Sequence, residues 1–518
     1  MMPQRASQLE QKGFLMTLTN VAGLSAALAL LSSTAAFADV TPEEVWAKWQ
    51  EFSAAFGQTV TADSETRDGD ALIIEGLVVS GGDDTAQATV TIPRLAFTDL
   101  GDGSVEVTMS DTYQMTVTSP DADTGEPVKV AVDITAPGAK IVTSGTANAM
   151  VHALDAAEMT IALASINDVA ADALGVVVDG TLKGMTGTYS SDTTDGLKLS
   201  TDVSTDSVAI NVKMDDAATG NKVNFALSMA ELASNSAAFL PADVDTADMA
   251  AMMAAGLSGS GETTFGALTF SFDYADPTGN GAGSGALAGG NVKVSLDQGE
   301  VAYGFGTTGL ELTVAGSTIP LPEVKVGLGE LAFDFLMPLA KTDEPTDFSF
   351  LTRIVDLSVS DDIWAMVDPA ATFPRDPVTF VLDTKGTVKL LADLTDEAAM
   401  AAFGEAPQAE IYSMDLNELQ LKALGAEVNG EGALTFDNTD MTTFPGMPKP
   451  DGSITLNASG LNALLEMVKA AGLVPEEELM GFQMMLGMFA VPGDGEDTMT
   501  TTIEFKDGGL FANGMQLQ

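Results

Sequence analysis

Apolar and polar residues alternate with a period of two along most of this chain, the signature of strands that bury one face. The runs Thr59 to Thr66 and Ala71 to Ser80 flank Arg67-Asp68-Gly69-Asp70, a hairpin signal. Ala86 to Thr98 and Val105 to Ser110 flank a second turn, Asp99-Leu100-Gly101-Asp102-Gly103. The alternation continues through Tyr113 to Thr118, Val128 to Thr135, Lys140 to Thr143, Met159 to Leu163 and Leu182 to Tyr189. It goes on through Lys198 to Val203, Val208 to Met214, Val223 to Met229 and Thr263 to Tyr274. After a glycine-rich stretch it returns at Val292 to Leu296, Glu300 to Gly304, Leu310 to Val314, Val324 to Leu328 and Leu331 to Leu336. Val378 to Asp383, Thr387 to Leu391 and Asn417 to Leu424 follow, the last alternating on into Val428, Leu434 and Phe436. Thr500 to Phe505 and Leu510 to Leu517 close the chain as a hairpin around Lys506-Asp507-Gly508-Gly509.

Helical spacing interrupts this pattern in few places. Thr41-Pro42-Glu43-Glu44 is a capping box, and Val45, Trp49, Phe52 and Phe56 then fall on one face before Gly57. Asp248 to Ala255 predicts a short helix stopped by Gly256, and Phe348 to Asp368 predicts two, the second opened by Ser360-Asp361-Asp362. Leu461 to Ala471 is amphipathic, with Leu461, Leu464, Leu465 and Val468 inward and Gly472 as its stop. Pro475-Glu476-Glu477-Glu478 opens another helix, its acids at the positive end of the dipole and its apolar side Leu479, Phe482, Leu486 and Phe489. The expected fold is therefore mainly β with some helix (α+β): a long curved antiparallel meander capped by a few helices. Gly279 to Gly290 reads as a flexible stretch, either a boundary between an N-terminal half, 39–290, and a C-terminal half, 291–518, or a long hairpin loop.

The first residues read as an address. Val21 to Leu31 is an apolar run of about 11 residues, the length of a signal-peptide core and too short to span a bilayer. It ends in Ala36-Phe37-Ala38, the small-x-small pattern that signal peptidase needs, so 1–38 is expected to be a signal peptide cut after Ala38. Arg5 and Lys12 supply its positive end unless Met16 is the true start. Neither a lipid-anchoring cysteine nor a disulfide is available, because the chain has no cysteine. The expected address is the periplasm, with no membrane span in the mature form.

Charge narrows the partners. With 22 Lys+Arg against 74 Asp+Glu, a formal net of −52, the chain repels nucleic acid and anionic lipid headgroups. Few aromatics (6%) and the ending Gln516-Leu517-Gln518 argue against an outer-membrane barrel with its aromatic girdles.

The motifs that carry chemistry are missing or out of context. His152, the single histidine, sits in an apolar run and reads as structural. Asp123-Thr124-Gly125 matches the aspartic-protease tripeptide by letter, but it lies in a polar loop without hydrophobic flanks or a second copy. Asp121, Asp123 and Glu126 offer oxygens for at most weak calcium binding. Gly283-Ser284-Gly285-Ala286-Leu287-Ala288 fits a loose dinucleotide pattern but precedes a strand. No catalytic, cofactor-binding or metal-ligating residue is assigned.

Two resemblances complete the picture. Val359-Ser360-Asp361-Asp362-Ile363-Trp364, Asp368-Pro369 and Phe373-Pro374-Arg375-Asp376-Pro377 resemble a signature of domain-of-unknown-function family 2125. Gly472-Leu473-Val474-Pro475, Pro492-Gly493-Asp494 and the hairpin at Phe505-Lys506-Asp507-Gly508 agree with it, as does the opening Asp39-Val40-Thr41-Pro42-Glu43-Glu44-Val45-Trp46, which resembles exported alphaproteobacterial members. This resemblance implies a Gram-negative envelope location and a β-rich fold, and no activity. More loosely, the meander and the terminal Asp507-Gly508-Gly509-Leu510-Phe511-Ala512-Asn513-Gly514 look like AsmA-type envelope proteins, whose sheets hold lipid acyl chains. The leading expectation is a non-enzymatic periplasmic protein holding an apolar or lipid ligand along its curved sheet for envelope maintenance. The alternatives are a structural or protein-interaction module of the envelope and a carboxylate-based hydrolase of envelope polymers.

Overall fold

The computed structural model describes residues 39–55, 57–83, 85–121, 124–216, 219–242, 244, 249–394 and 409–517. The expected signal peptide, Phe56, Asp123 and Asp248 lie outside them. The described chain is mainly β, and every strand pairing is antiparallel where its register is defined. Its described residues form two compact units, those of 39–242 with 263–282 and those of 244–262 with 283–517.

The first unit is a ladder that forks and rejoins. Strand Gln87–Asp99 pairs through its second half with Val105–Met109 and through its first half with Thr112–Pro120. These lead through Lys140–Thr146 and Pro127–Thr135 to the two halves of one long strand, Ala149–Ile166. The fork encloses the main core, in which Ile74, Leu95, Phe97, Val105, Val107, Ile141 and Leu154 are fully buried. Helix Pro42–Ala55 closes this core. Its capping box is formed: the Thr41 amide donates to Glu44 Oε2 at 2.9 Å and the Glu44 amide to Thr41 Oγ1 at 3.3 Å. Val45 and Trp46 are buried, whereas Trp49 and Phe52 are half-buried. Trp46, outside the expected stripe, packs on Phe97 with ring centroids 5.7 Å apart, and its Nε1 donates to Glu65 at 3.1 Å. From Ala149–Ile166 the ladder runs on through Val176–Asp192, Leu197–Asp216, Asn221–Leu240 and Leu268–Asp276.

The second unit carries a plain meander. Gly289–Asp297, Glu300–Gly316, Val324–Pro338, Thr346–Val359, Val378–Leu390, Ala409–Ala423, Ala426–Asp437, Lys449–Ser459 and Thr498–Lys506 pair in that order. Its helices Asp361–Val367, Leu461–Ala471 and Glu476–Phe489 lie in connections at one end of the meander, the end marked by Val359, Val378, Ala426, Ser459 and Thr498.

Several expectations are corrected. The glycine-rich stretch is not flexible: Gly279–Leu287 is a strand, and glycine is needed at Gly281 because a Cβ there would lie 2.5 Å from the Tyr274 ring. Phe348 to Asp368 holds one helix, since its first part is the strand Thr346–Val359. The pairs of short strands at 198–214, 300–314, 324–336 and 378–391 are each one long strand. Thr263 to Tyr274 is instead two strands, parted at Gly266-Ala267. The last segment folds twice, as Gly509–Ala512 and Met515–Gln516 around Asn513-Gly514. Phe482, expected inward, is exposed, and in its helix only Leu479 is buried.

Candidate functional site: an uncovered apolar face

Residues opposite one another in an antiparallel ladder point to the same side, so the registers sort the second unit's side chains into two faces. One side is apolar across the whole meander. Val292, Phe305, Phe333 and Thr352 form one cross-strand row with Leu382 and Leu419. Val294, Tyr303, Phe335 and Phe350 form the next, ending on Thr384 and Leu416. Leu331, Ile354, Phe380, Leu421 and Val428 form a third. Leu456, Ile454 and Ile503 extend the surface to the C-terminal strands. The rings of Tyr303, Phe333, Phe335 and Phe350 make an aromatic patch with centroids 5.4 to 6.4 Å apart.

Among the described residues nothing closes this face as a core. Phe305, Phe333, Phe335, Phe380, Leu382 and Leu419 are only half-buried, while Val294 is 52% and Leu421 47% exposed. Near its C-terminal edge Thr501, opposite Leu456, donates its hydroxyl to the Phe489 carbonyl at 3.0 Å, which brings the end of helix Glu476–Phe489 to this side. Such a surface offers few hydrogen bonds and presents mainly hydrocarbon to whatever meets it.

The other side is mainly polar, with opposite charges facing one another and Val381 buried among them. Lys293 meets Asp334 at 2.6 Å over Gly304, and Arg353 meets Glu418 at 2.9 Å. Asn417 donates to Asp383 at 3.0 Å, and Gln420 and Asn429 donate to Glu427 at 3.0 and 2.9 Å. An open trough of about 450 Å³ lies over the glycines of this side, bordered by Lys293, Glu330 and Asp334. Lys293 neutralises Asp334, and Glu330 stands four residues away on the same strand.

The first unit repeats the division. Met159, Leu182, Val208, Met229 and Leu268 form one apolar row, and Ile161, Gly180, Ile210, Leu227 and Phe270 the next. The large side chains of these rows beyond Leu182 are half-buried or exposed.

The residues singled out from sequence fall elsewhere. His152 is buried, with Nδ1 2.9 Å from Thr143 Oγ1 and its ring stacked on Tyr189, and burial lowers its pKa to about 4. The hydroxyls of Tyr113 and Tyr189 find no partner among the described residues, and burial pushes both up to about 12. Asp121 caps a turn, accepting from the Thr124 amide at 2.8 Å. Gly283 to Leu287 lies in a strand, with another strand after it. Among the described residues no group of acids and histidine has a metal-holding arrangement.

The motif around Asp361 to Pro377 is a clasp. Buried Asp368 accepts the Phe373 amide at 2.9 Å, and the Phe373 and Thr372 amides hold its carboxyl below the usual range. Arg375 returns to Asp361 at the start of the helix, at 2.5 Å, and Pro374 packs over the Leu424-Gly425 turn. Sequence reasoning did not find the apolar face as a surface, because alternation alone does not say whether a second layer covers it. No curated protein and no solved structure matches this chain. The model of the family described as an uncharacterized protein conserved in bacteria (DUF2125) matches residues 311–517, a stretch that takes in the meander from Glu311 to the terminal turns, clasp and helix pair included.

Proposed function

We propose that this protein is an exported periplasmic lipid-binding protein that lays acyl chains along the apolar face of its second unit. The observation that carries this reading is the run of part-exposed, mainly apolar side chains from Val292 to Ile503, interspersed with Thr352, Thr384, Gly430 and Gly432. Burying such area from water is worth about 25 cal/mol per Å², so a face left open this far is a strong acceptor for hydrocarbon. A periplasmic site of action follows from the targeting segment read at 1–38.

Native mass spectrometry after gentle purification should find copurified lipid, and a fluorescent fatty acid should bind the emptied protein. Val294→Glu with Leu421→Glu, at two exposed positions that the fold tolerates, should weaken that probe about ten-fold or more, because each charge must be desolvated beneath the chain. A purified protein that carries no lipid and ignores the probe defeats the proposal.

A further inference from the structure

We infer that the helical end of the second unit docks on the hydrocarbon of a weakly charged bilayer, placing the apolar face where acyl chains can pass onto it. This inference rests on the lipid-binding reading. Helix Glu476–Phe489 is apolar nearly all round beyond its first turn, yet only Leu479 is buried. Met480, Met484 and Met488, at i, i+4 and i+8, form an outward stripe 57%, 72% and 55% exposed. A helix apolar on all sides belongs in a core or in lipid, and here it stands in neither.

Two other connections bring similar side chains to the same end. Helix Asp361–Val367 exposes Met366 and Val367, the latter 75% exposed, and Leu473, between the paired helices, is 64% exposed. Gly460, which opens helix Leu461–Ala471, packs directly on Gly425, so this helix starts from the strand end that the clasp also covers. The Phe489 carbonyl, held by Thr501 and by Asn513 at 2.8 Å, ties the last turn of the methionine helix to the edge of the apolar face. The docking surface and the acyl-binding surface are therefore continuous.

A second copy of the chain is a poorer occupant. The methionine helix is about 21 Å long and about 10 Å wide, well short of the roughly 800 Å² per partner of a stable interface. Each copy would also bring a formal charge of −52. Lipid sets no minimum area and adapts to flexible methionine side chains. Arg375 neutralises Asp361 and Lys469 neutralises Glu476, which leaves Asp362, Glu477 and Glu478 to set the sign of the lipid at this end: zwitterionic headgroups are accepted and anionic ones opposed.

Flotation of the exported chain, residues 39–518, with phosphatidylcholine vesicles tests the inference, beside solution binding of a fluorescent fatty acid. Wild type should float. Met480→Glu/Met484→Glu/Met488→Glu should float about ten-fold less or worse while still binding the fatty acid, which also certifies its fold. Flotation equal in wild type and variant, or absent from both, overturns the inference. So does light scattering that finds a wild-type dimer dispersed by the same changes. A wild type that floats but takes up no fatty acid leaves the docking end standing and removes the lipid-binding reading instead.

Discussion

His152 is a residue whose chemistry the fold changes strongly. Buried against Thr143 and Tyr189, it stays neutral down to about pH 4, whereas an unfolded chain takes the proton near 6.5. The unfolded state therefore binds more protons between those values, and stability falls as pH drops from 6.5 to 4. Between pH 7 and pH 5 the loss should be about 2 kcal/mol in urea unfolding. His152→Gln, which keeps a partner for Thr143, should flatten that slope; an equal slope in the variant would place the proton uptake elsewhere. The exposed turn acids act later. Asp83, Asp102, Asp276 and Asp437 each accept from a Ser or Thr hydroxyl two residues on, and that bond holds their carboxyls below the usual value. Their contribution is present above the ordinary carboxylate range and is lost only at more acid pH.

Among the elements, helix Pro42–Ala55 has the greatest leverage on the first unit, because it lays two tryptophans against Phe97. Trp46→Ala should cost about 3–5 kcal/mol, whereas Thr41→Ala, which removes only the cap, should cost about 1 kcal/mol. Near-equal losses in denaturant melts would mean that the helix is not packed as described. The capping box made this helix legible in sequence, and the helical spacing located its stripe to within one residue. Strand lengths were less legible, for a reason visible in the ladders. Val203 and Thr205 share a side with Val208, Thr307 with Leu310, and Leu328 with Leu331. At each place one residue of each strand, Gly309 at positive φ among them, drops out of the pairing without shifting the register, and the alternation by twos is interrupted. Reading by twos breaks there, so one strand is taken for two. The uncovered state of the apolar face was illegible altogether: half-buried and fully buried strands can carry the same letters.

The charge of the whole chain works against the compact state, and salt should reveal it. Its 22 basic side chains cannot offset 74 acidic ones, and the ion pairs of the described residues are partly exposed, a class worth little. Unpaired repulsion is the larger effect, and it is long-ranged: the screening length shrinks from about 30 Å at 0.01 M salt to about 8 Å at 0.15 M. Raising sodium chloride from 10 to 500 mM should therefore lift the melting temperature by ~5 °C or more. If ion pairs held the fold together, the same titration would lower it. Choline chloride should reproduce the sodium curve, because screening is indifferent to the cation. Calcium at equal ionic strength should exceed it only if turn carboxylates chelate the ion, which turns the weak calcium binding considered for the Asp121 turn into a measurable excess over the screening curve.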